Sequence, residues 1–426
     1  MKEVERQYVV QSHEEDVIMQ DVDEEEEAEV QAELGEESES ESDDEHVDQG
    51  HDSDEDKPPA LPDGKNEMLT VGFNKNRSYV VRSGKIGVFK SNDQGKMEHH
   101  GTLSSVKDSK GKEFTPKKMM LHDQDNAMIL MDPRQQNSLY KMDIERGKVV
   151  EEWKVDDNIP VLHMAPESKF AQTQPERTIL GASGNALFRL DPRLAGSKLV
   201  NSEYKQYSTP NKFSGLTTTE AGQVAVASEK GDIRLFDKVG KNAKTALPAM
   251  GDPILGVDVT KDGRWVVATC RTYLLVIDTL IPEGRYTGQL GFDRSFPADA
   301  KPAPKRLRVQ NAHLQYMGGN VNFTPARFDM GEGQEETSIV TSSGNYVIAW
   351  DFKAIKRGKY DKYEIRKYQD VVVQDQFKYG HKNDIVVALQ NDVVMVNKKH
   401  LKDPAQSKSY GGAPRRSSSK IVKSPF

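Results

Sequence analysis

Between about residue 61 and residue 401 the chain repeats one pattern of apolar and polar positions. A short β-branched run is followed by a turn of Ser, Gly or Asn, and a second apolar run closes on Asp or Asn. The clearest copy is Val224-Ala225-Val226-Ala227-Ser228, the turn Glu229-Lys230-Gly231-Asp232, and Ile233-Arg234-Leu235-Phe236-Asp237. Its relatives run from Ile179 to Asp191, Trp265 to Asp278, Ile339 to Asp351 and Ile385 to Asn397. Two looser copies precede them, Tyr79 to Lys90 and Met128 to Asp143, the second with a longer turn round Pro133. Run, turn and run predict a β-hairpin. Strand-like runs flank each hairpin, Lys212 to Thr218 and Ala243 to Leu247 in the clearest copy, so each unit has four strands. The closing residues fall at 90, 143, 191, 237, 278, 351 and 397, in steps of 53, 48, 46, 41, 73 and 46. Four strands recurring every forty-odd residues are the signature of a propeller blade. The pattern therefore predicts an all-β, seven-bladed, WD-repeat-like β-propeller with degenerate repeats. The long step predicts one insertion of roughly 27 residues, about 281–330. No helix-period segment of useful length is present, so strands alone are expected.

A four-stranded sheet of this size cannot bury its faces unaided, whereas sheets stacked round an axis bury one another. Trp153, Trp265 and Trp350 all lie in blade strands and are expected to anchor that packing rather than stack on a ligand. Asp143, Asp191, Asp237, Asp278 and Asp351 recur once per blade. A catalytic pair would be confined to one place, so these acids are expected to cap strands and turns. Gly231, in a tight turn, is expected to need a positive φ. The last blade lacks an obvious outer strand, because Lys398-Lys399 leads into a flexible tail. Val4 to Val10 is the preferred candidate to fill that edge, with Lys420 to Val422 as the alternative.

Charge then divides the chain into an acidic segment (1–60), the propeller (61–401) and a basic tail (402–426). Residues 1–60 carry 25 acidic and 3 basic side chains; the remainder carries 42 and 56. Such an acidic, aromatic-poor stretch has too little apolar surface to order itself and is expected to be disordered. Half of the excess positive charge beyond residue 60 falls in 398–426, and the rest is spread along the body. That spread makes nucleic acid an unlikely partner, since phosphate contacts need clustered Lys and Arg. The lone cysteine, Cys270, excludes an internal disulfide framework and a cysteine-based zinc cluster. No apolar run approaches the ~18 residues of a membrane span, and no secretory signal is read at the N-terminus.

Catalytic motifs are missing as well. There is no phosphate-cradling Gly-rich loop with Lys-Ser/Thr and no Gly-x-Gly-x-x-Gly. Gly181-Ala182-Ser183-Gly184 falls one residue short of a nucleophile elbow and sits in a hairpin turn. His99 and His100 are adjacent, so on a strand they face opposite ways and cannot chelate one ion together. Cys270 follows Ala268-Thr269 in an apolar strand and is expected to be an inert core thiol. No cofactor and no metal are expected.

Several segments together resemble a known family. They include Lys85-Ile86-Gly87-Val88-Phe89, Thr115-Pro116-Lys117-Lys118, Asn137 to Asp143 with Gly147 to Trp153, Gly231 to Asp237, and Asp262 to Val266 with Thr272 to Leu275. Over about 61–401 the chain is similar to the C-terminal domain of the vacuolar import and degradation protein 27 family, whose plant relatives are the defective-embryo-and-meristems proteins. The resemblance implies a WD-repeat-like propeller in a cytoplasmic protein (nuclear placement is the other option), linked to vacuolar import and degradation of cytosolic protein. It also implies a pleckstrin-homology-like region ahead of the acidic linker. The present sequence starts just ahead of that linker, so no membrane or phosphoinositide role is expected from that region. Only Trp350-Asp351 gives the literal Trp-Asp dipeptide, and the usual Gly-His start is absent.

The expected function is that of a non-enzymatic interaction scaffold whose partners are other proteins. Three features could carry binding. The insertion holds Lys301, Lys305, Arg306 and Arg308, a candidate partner-contact loop. Ser38, Ser40, Ser42 and Ser53 each have an acid three residues on and suit an acid-directed kinase, each phosphate adding about −1.5 to −2 charges. Arg415-Arg416 with Ser417-Ser418-Ser419 and Ser424-Pro425 form the third. The acidic segment is expected to cover the basic insertion or the basic tail transiently and so compete with acidic partners, with phosphorylation tightening the cover. The alternatives are nucleic-acid or acidic-ligand binding by the basic body, and an enzyme using the central cavity, which would need polar residues converging at strand starts.

Overall fold

The computed structural model describes residues 63–401 apart from 104, 250, 330–334 and 382. Ser38, Ser40, Ser42 and Ser53, the candidate closing strands Val4 to Val10 and Lys420 to Val422, and the tail from 402 lie outside the described residues.

Seven antiparallel sheets follow one another at 66–103, 118–154, 163–206, 213–247, 254–307, 327–367 and 372–397. Six have four strands, hydrogen-bonded in chain order, and the seventh has three among the described residues. First strands of neighbouring blades pack together round an axis, so this is a seven-bladed propeller. Blade 4 shows why the sequence was readable. Its strands are Phe213–Thr218, Val224–Ser228, Ile233–Phe236 and Thr245–Leu247. Val224↔Phe236 and Ala227↔Ile233 are paired across the turn at Gly231, whose φ is +89°.

The apolar runs bury where stacking requires. Ala225 and Leu235 of blade 4 share one cluster with Val266 and Leu275 of blade 5. Val276 and Leu307 of blade 5 share another with Ile348 and Trp350 of blade 6. Each such aliphatic side chain contributes about 1.5–3 kcal/mol when fully buried. Trp153 and Trp350 are completely buried, whereas Trp265 is half-buried, edge-on to Phe352 at 5.7 Å.

Three expectations are corrected. The stretch 281–330 is not one insertion, because Lys305–Leu307 pairs with Leu274–Val276 and supplies the fourth strand of blade 5. Its pairing partner is distant in sequence, and three residues are too few to show a period of two. The described residues are not strands only: α1 (Asn311–Tyr316) and α2 (Phe352–Lys356) are short helices. Neither is long enough to show a helical hydrophobic period. The positive charge is also less evenly spread than its total suggested, as described below.

The ring closes between blades 1 and 7. Gln374 and Gln376 accept hydrogen bonds from the Leu69 and Val71 N–H groups through their side-chain oxygens (2.9 and 3.1 Å). The Asn66 amide donates to Leu389 O at 2.7 Å. Across the axis, the connection after the first strand of blade 3 reaches blades that are not its neighbours. Lys169 pairs with fully buried Asp258 of blade 5 at 3.1 Å. The Phe170 ring meets Tyr379 of blade 7 at 5.4 Å, and Tyr379 meets Phe73 of blade 1 at 5.2 Å. Contacts between non-adjacent blades must cross the central hole, so these rings and Lys169 plug its end.

Candidate functional site

An exposed cluster of like charge lies on the rim between blades 5 and 6. Arg306 sits on the fourth strand of blade 5, and Arg308 follows it. Opposite them, blade 6 leaves its third strand at Asp351. The Asp351 carboxylate caps α2 by accepting from Ala354 N at 3.0 Å. Phe352, Ala354 and Ile355 face the core, and Lys353 and Lys356 face outward near the helix C-terminus, where cations are favoured. The chain then runs through Gly358 to Asp361. Arg306, Arg308, Gly358, Lys359, Tyr360 and Asp361 line an open groove of about 650 Å³.

Arg306 is held in place by an aromatic seat. Its guanidinium lies 4.2 Å from the centre of the Tyr273 ring, and that of Arg308 lies at 6.0 Å. Burial raises the Tyr273 phenol above its ordinary pKa, so the ring stays neutral under the guanidinium. A cation on an aromatic face keeps its N–H fork free for a planar anion. Among the described residues Arg306, Arg308 and Lys359 form no ion pair. Lys356 is partly neutralised by Glu335 at 3.2 Å. The three cations can hold a carboxylate-rich or phosphate-bearing strand along the rim, beside the Asp361 carboxylate that lines the same groove.

Of the four basic residues singled out in the sequence, the fold brings only two into this groove. Lys301 leans toward blade 4, within 3.5 Å of Ala246 O, and Lys305 is on a paired strand. The basic run Lys353, Lys356, Arg357, Lys359 and Lys362 was missed, although five cations in ten residues are visible in the sequence. The strand-end acids serve local turns. Asp143 accepts from Arg146 N (3.0 Å), Asp191 grips Arg193 (2.8 Å), Asp237 pairs with Lys244 (3.2 Å), and Asp278 pairs with Arg264 (3.3 Å).

Polar residues do meet where first strands begin. Lys118 Nζ lies 2.7 Å from His163 Nδ1, and His163 Nε2 lies 3.1 Å from Phe213 O. Burial, with the nearby charges of Lys117 and Arg327, lowers the amine to about 8. Burial and Lys118 lower the imidazole to about 4. The neutral ring thus accepts from Lys118 and donates to Phe213 O, which leaves neither nitrogen for a substrate. Cys270 is buried and its thiol pKa is raised by burial, the reverse of an activated nucleophile. Among the described residues no three His, Cys, Asp or Glu side chains are grouped to hold a metal ion, and no helix is long and apolar enough to cross a membrane.

Comparison with known proteins adds the following. Residues 64–411 match the family model described as the VID27 C-terminal WD40-like domain. The chain is 48% identical over 366 residues to vacuolar import and degradation protein 27 of Schizosaccharomyces pombe, covering 85% of this chain and 46% of that protein. It is 41% identical over 351 residues to the protein of that name in Saccharomyces cerevisiae, covering 80% and 45%. The chain thus spans about half the length of the curated relatives it matches. Among solved structures it is similar to the β-propeller domain of Myceliophteria thermophila Cps50 (Swd1), with TM-score 0.55 and 9% identity, over 79% of this chain and 96% of that one.

Proposed function

This chain belongs to the vacuolar import and degradation protein 27 family, and from that premise we propose that its propeller is a non-catalytic, cytoplasmic platform that binds acidic segments of other proteins during vacuolar import and degradation. The observation that carries the reading is the rim groove, where Arg306, Arg308 and Lys359 converge beside Asp361 and, among the described residues, form no ion pair. A rigid ring holds such a groove at little entropic cost, because its walls are blade edges fixed by packing. The relatives' names supply the process; the groove supplies the binding chemistry.

The test is affinity capture by the full chain from nuclease-treated lysate, compared with an Arg306→Glu/Arg308→Glu variant. The reading expects a set of proteins with acidic segments that the variant fails to retain, and a dependence on salt concentration. The same proteins captured by both forms would refute the groove as the binding surface. The clustering of Lys353 to Lys362 beside Arg306 gives the nucleic-acid alternative more support than the spread of charge along the sequence did. RNA retained by the parent before nuclease treatment and lost by the variant would favour that alternative.

A further inference from the structure

A second cleft, two seams further round the ring, has a different character. It lies at the seam between blades 1 and 7 and encloses about 390 Å³. Blade 1 contributes Lys75, Arg77, Asn76 and Ser91, and blade 7 contributes Lys378 and His381. Lys75, Arg77 and Lys378 are all partly buried, and among the described residues none of the three forms an ion pair. Their polar contacts are neutral. Lys75 Nζ donates to Asn126 Oδ1 at 2.8 Å, and Lys378 Nζ lies 3.3 Å from Ser91 Oγ, which is hydrogen-bonded to Asn76 at 2.9 Å. His381 is the exception, 3.4 Å from Asp384.

One acid behind the cleft wall, Asp125, holds backbone N–H groups. Asp125 is fully buried, and its Oδ2 accepts from the N–H groups of Phe73, Asn74 and Lys75 at 2.7, 2.7 and 3.0 Å. Through Oδ2 it pins the turn that carries Lys75, while its Oδ1 is buried without a hydrogen-bond partner. Met97 and Met395 also line the cleft, and apolar lining strengthens the attraction of an anion to the cations. Three cations, one of them a planar guanidinium, together with a hydroxyl and a carboxamide suit a tetrahedral dianion better than a single carboxylate. The space accepts a phosphoryl group with its side chain and a few flanking atoms, and is too small for a helix.

We propose that this seam cleft binds the phosphate of a phosphorylated serine or threonine in a protein segment, with Arg77, Lys75 and Lys378 as its ligands. The ligand would bridge blades 1 and 7 and so fasten the ring where only noncovalent contacts close it. The cleft is separate from the groove between blades 5 and 6, so either can fail without the other.

The experiment is calorimetric titration of the full, unphosphorylated chain with a synthetic peptide of residues 36–46 phosphorylated on Ser40 and Ser42. The arms are the unphosphorylated peptide, the same peptide with Glu at both positions, and inorganic phosphate. The proposal expects the phosphopeptide to bind at least about tenfold tighter than either peptide control, as added charge-assisted hydrogen bonds would give. It also expects the phosphopeptide to raise the melting temperature. Arg77→Gln and Lys378→Gln should each weaken phosphopeptide binding about tenfold, while Lys110→Gln, an exposed loop change, should not. Arg77 neighbours the buried Tyr79, so Lys378→Gln decides the matter if Arg77→Gln fails to fold. Equal affinity for the phosphorylated and plain peptides, or an undiminished affinity in Lys378→Gln, would overturn the proposal. Inorganic phosphate binding as tightly as the phosphopeptide would overturn it too, since the site would then take a free anion.

Discussion

Gly231 turns between the second and third strands of blade 4, and two separate constraints meet at it. Its φ is +89°, in the region that L-residues with a Cβ resist, at about 1–2 kcal/mol. A Cβ built there would also stand 2.7 Å from the backbone oxygen of Asp252, on the connection into blade 5. A main-chain oxygen cannot swing aside as a side chain would, so blade 5 must shift, at a further cost of about 1–3 kcal/mol. Gly231→Ala should therefore lose about 2–5 kcal/mol, and Gly231→Val more, because branching at Cβ worsens both terms. Two other glycines separate the contributions. Gly111 has a φ of +77° with nothing within 4 Å of its would-be Cβ, so Gly111→Ala should show the backbone cost alone. Gly101 has ordinary angles and open space, so Gly101→Ala should be neutral or stabilising by up to about 1 kcal/mol. At about 2 °C per kcal/mol for a body of this size, differential scanning calorimetry should place Gly231→Ala about 4–10 °C below the parent. Gly111→Ala should fall about 2–4 °C below it. If Gly231→Ala and Gly111→Ala melt together, the close approach of blade 5 is irrelevant. If both match the parent, the backbone argument fails as well.

Two further predictions concern buried charge at the axis. Burial alone would raise the Asp258 carboxyl, but Lys169 and Arg327, helped by the Phe328 N–H at 2.9 Å, hold it below its ordinary pKa. Lys169→Met should cost about 3–5 kcal/mol in a denaturant titration by leaving that carboxylate uncompensated, and a loss under about 1 kcal/mol would mean water reaches it. Asp375 is the opposite case: burial lifts it to about 6 despite hydrogen bonds from Ser342 and Thr324 (the latter at 3.2 Å). With the folded pKa above the unfolded one, the native state holds the extra proton between about pH 4 and 6, so stability declines as pH rises through that window. Asp375→Asn should flatten that decline and be more stable than the parent at pH 7.5, by up to about 3 kcal/mol; an unchanged pH profile would refute the assignment.

How far the fold could be read from the sequence depended on which signals were local. Val224 to Asp237 declares its own hairpin, because both strands and the turn lie within fourteen residues, and the other closing residues mark third strands in the same way. Lys305–Leu307 could not be recognised, since its partner Leu274–Val276 lies some thirty residues upstream and its sequence has no alternation to show. The groove was half legible for a related reason. Arg306 and Arg308 stood out in a Pro-rich stretch, but the facing run from Lys353 to Asp361 becomes a neighbour only once blades 5 and 6 pack together. The seam cleft was invisible, because Arg77 and Lys378 are three hundred residues apart. The plug at the axis was equally hidden. Nothing local to Lys169-Phe170 foretells contacts with Asp258 and Tyr379.

The way the ring closes also sets an order of assembly. Each blade is local, and its hairpins can form as soon as its own forty-odd residues are available, with neighbours adding one after another. The bonds from Leu69 to Gln374, Val71 to Gln376 and Asn66 to Leu389 join residues more than three hundred positions apart. Such contacts carry the largest loop-closure entropy and come last. During synthesis at about 5–20 residues per second, blade 1 therefore waits tens of seconds with Leu69 and Val71 uncovered before blade 7 emerges. Over that interval the inner strand of blade 1 keeps a bare edge, and the Leu69 and Val71 N–H groups meet their closing acceptors only when Gln374 and Gln376 arrive.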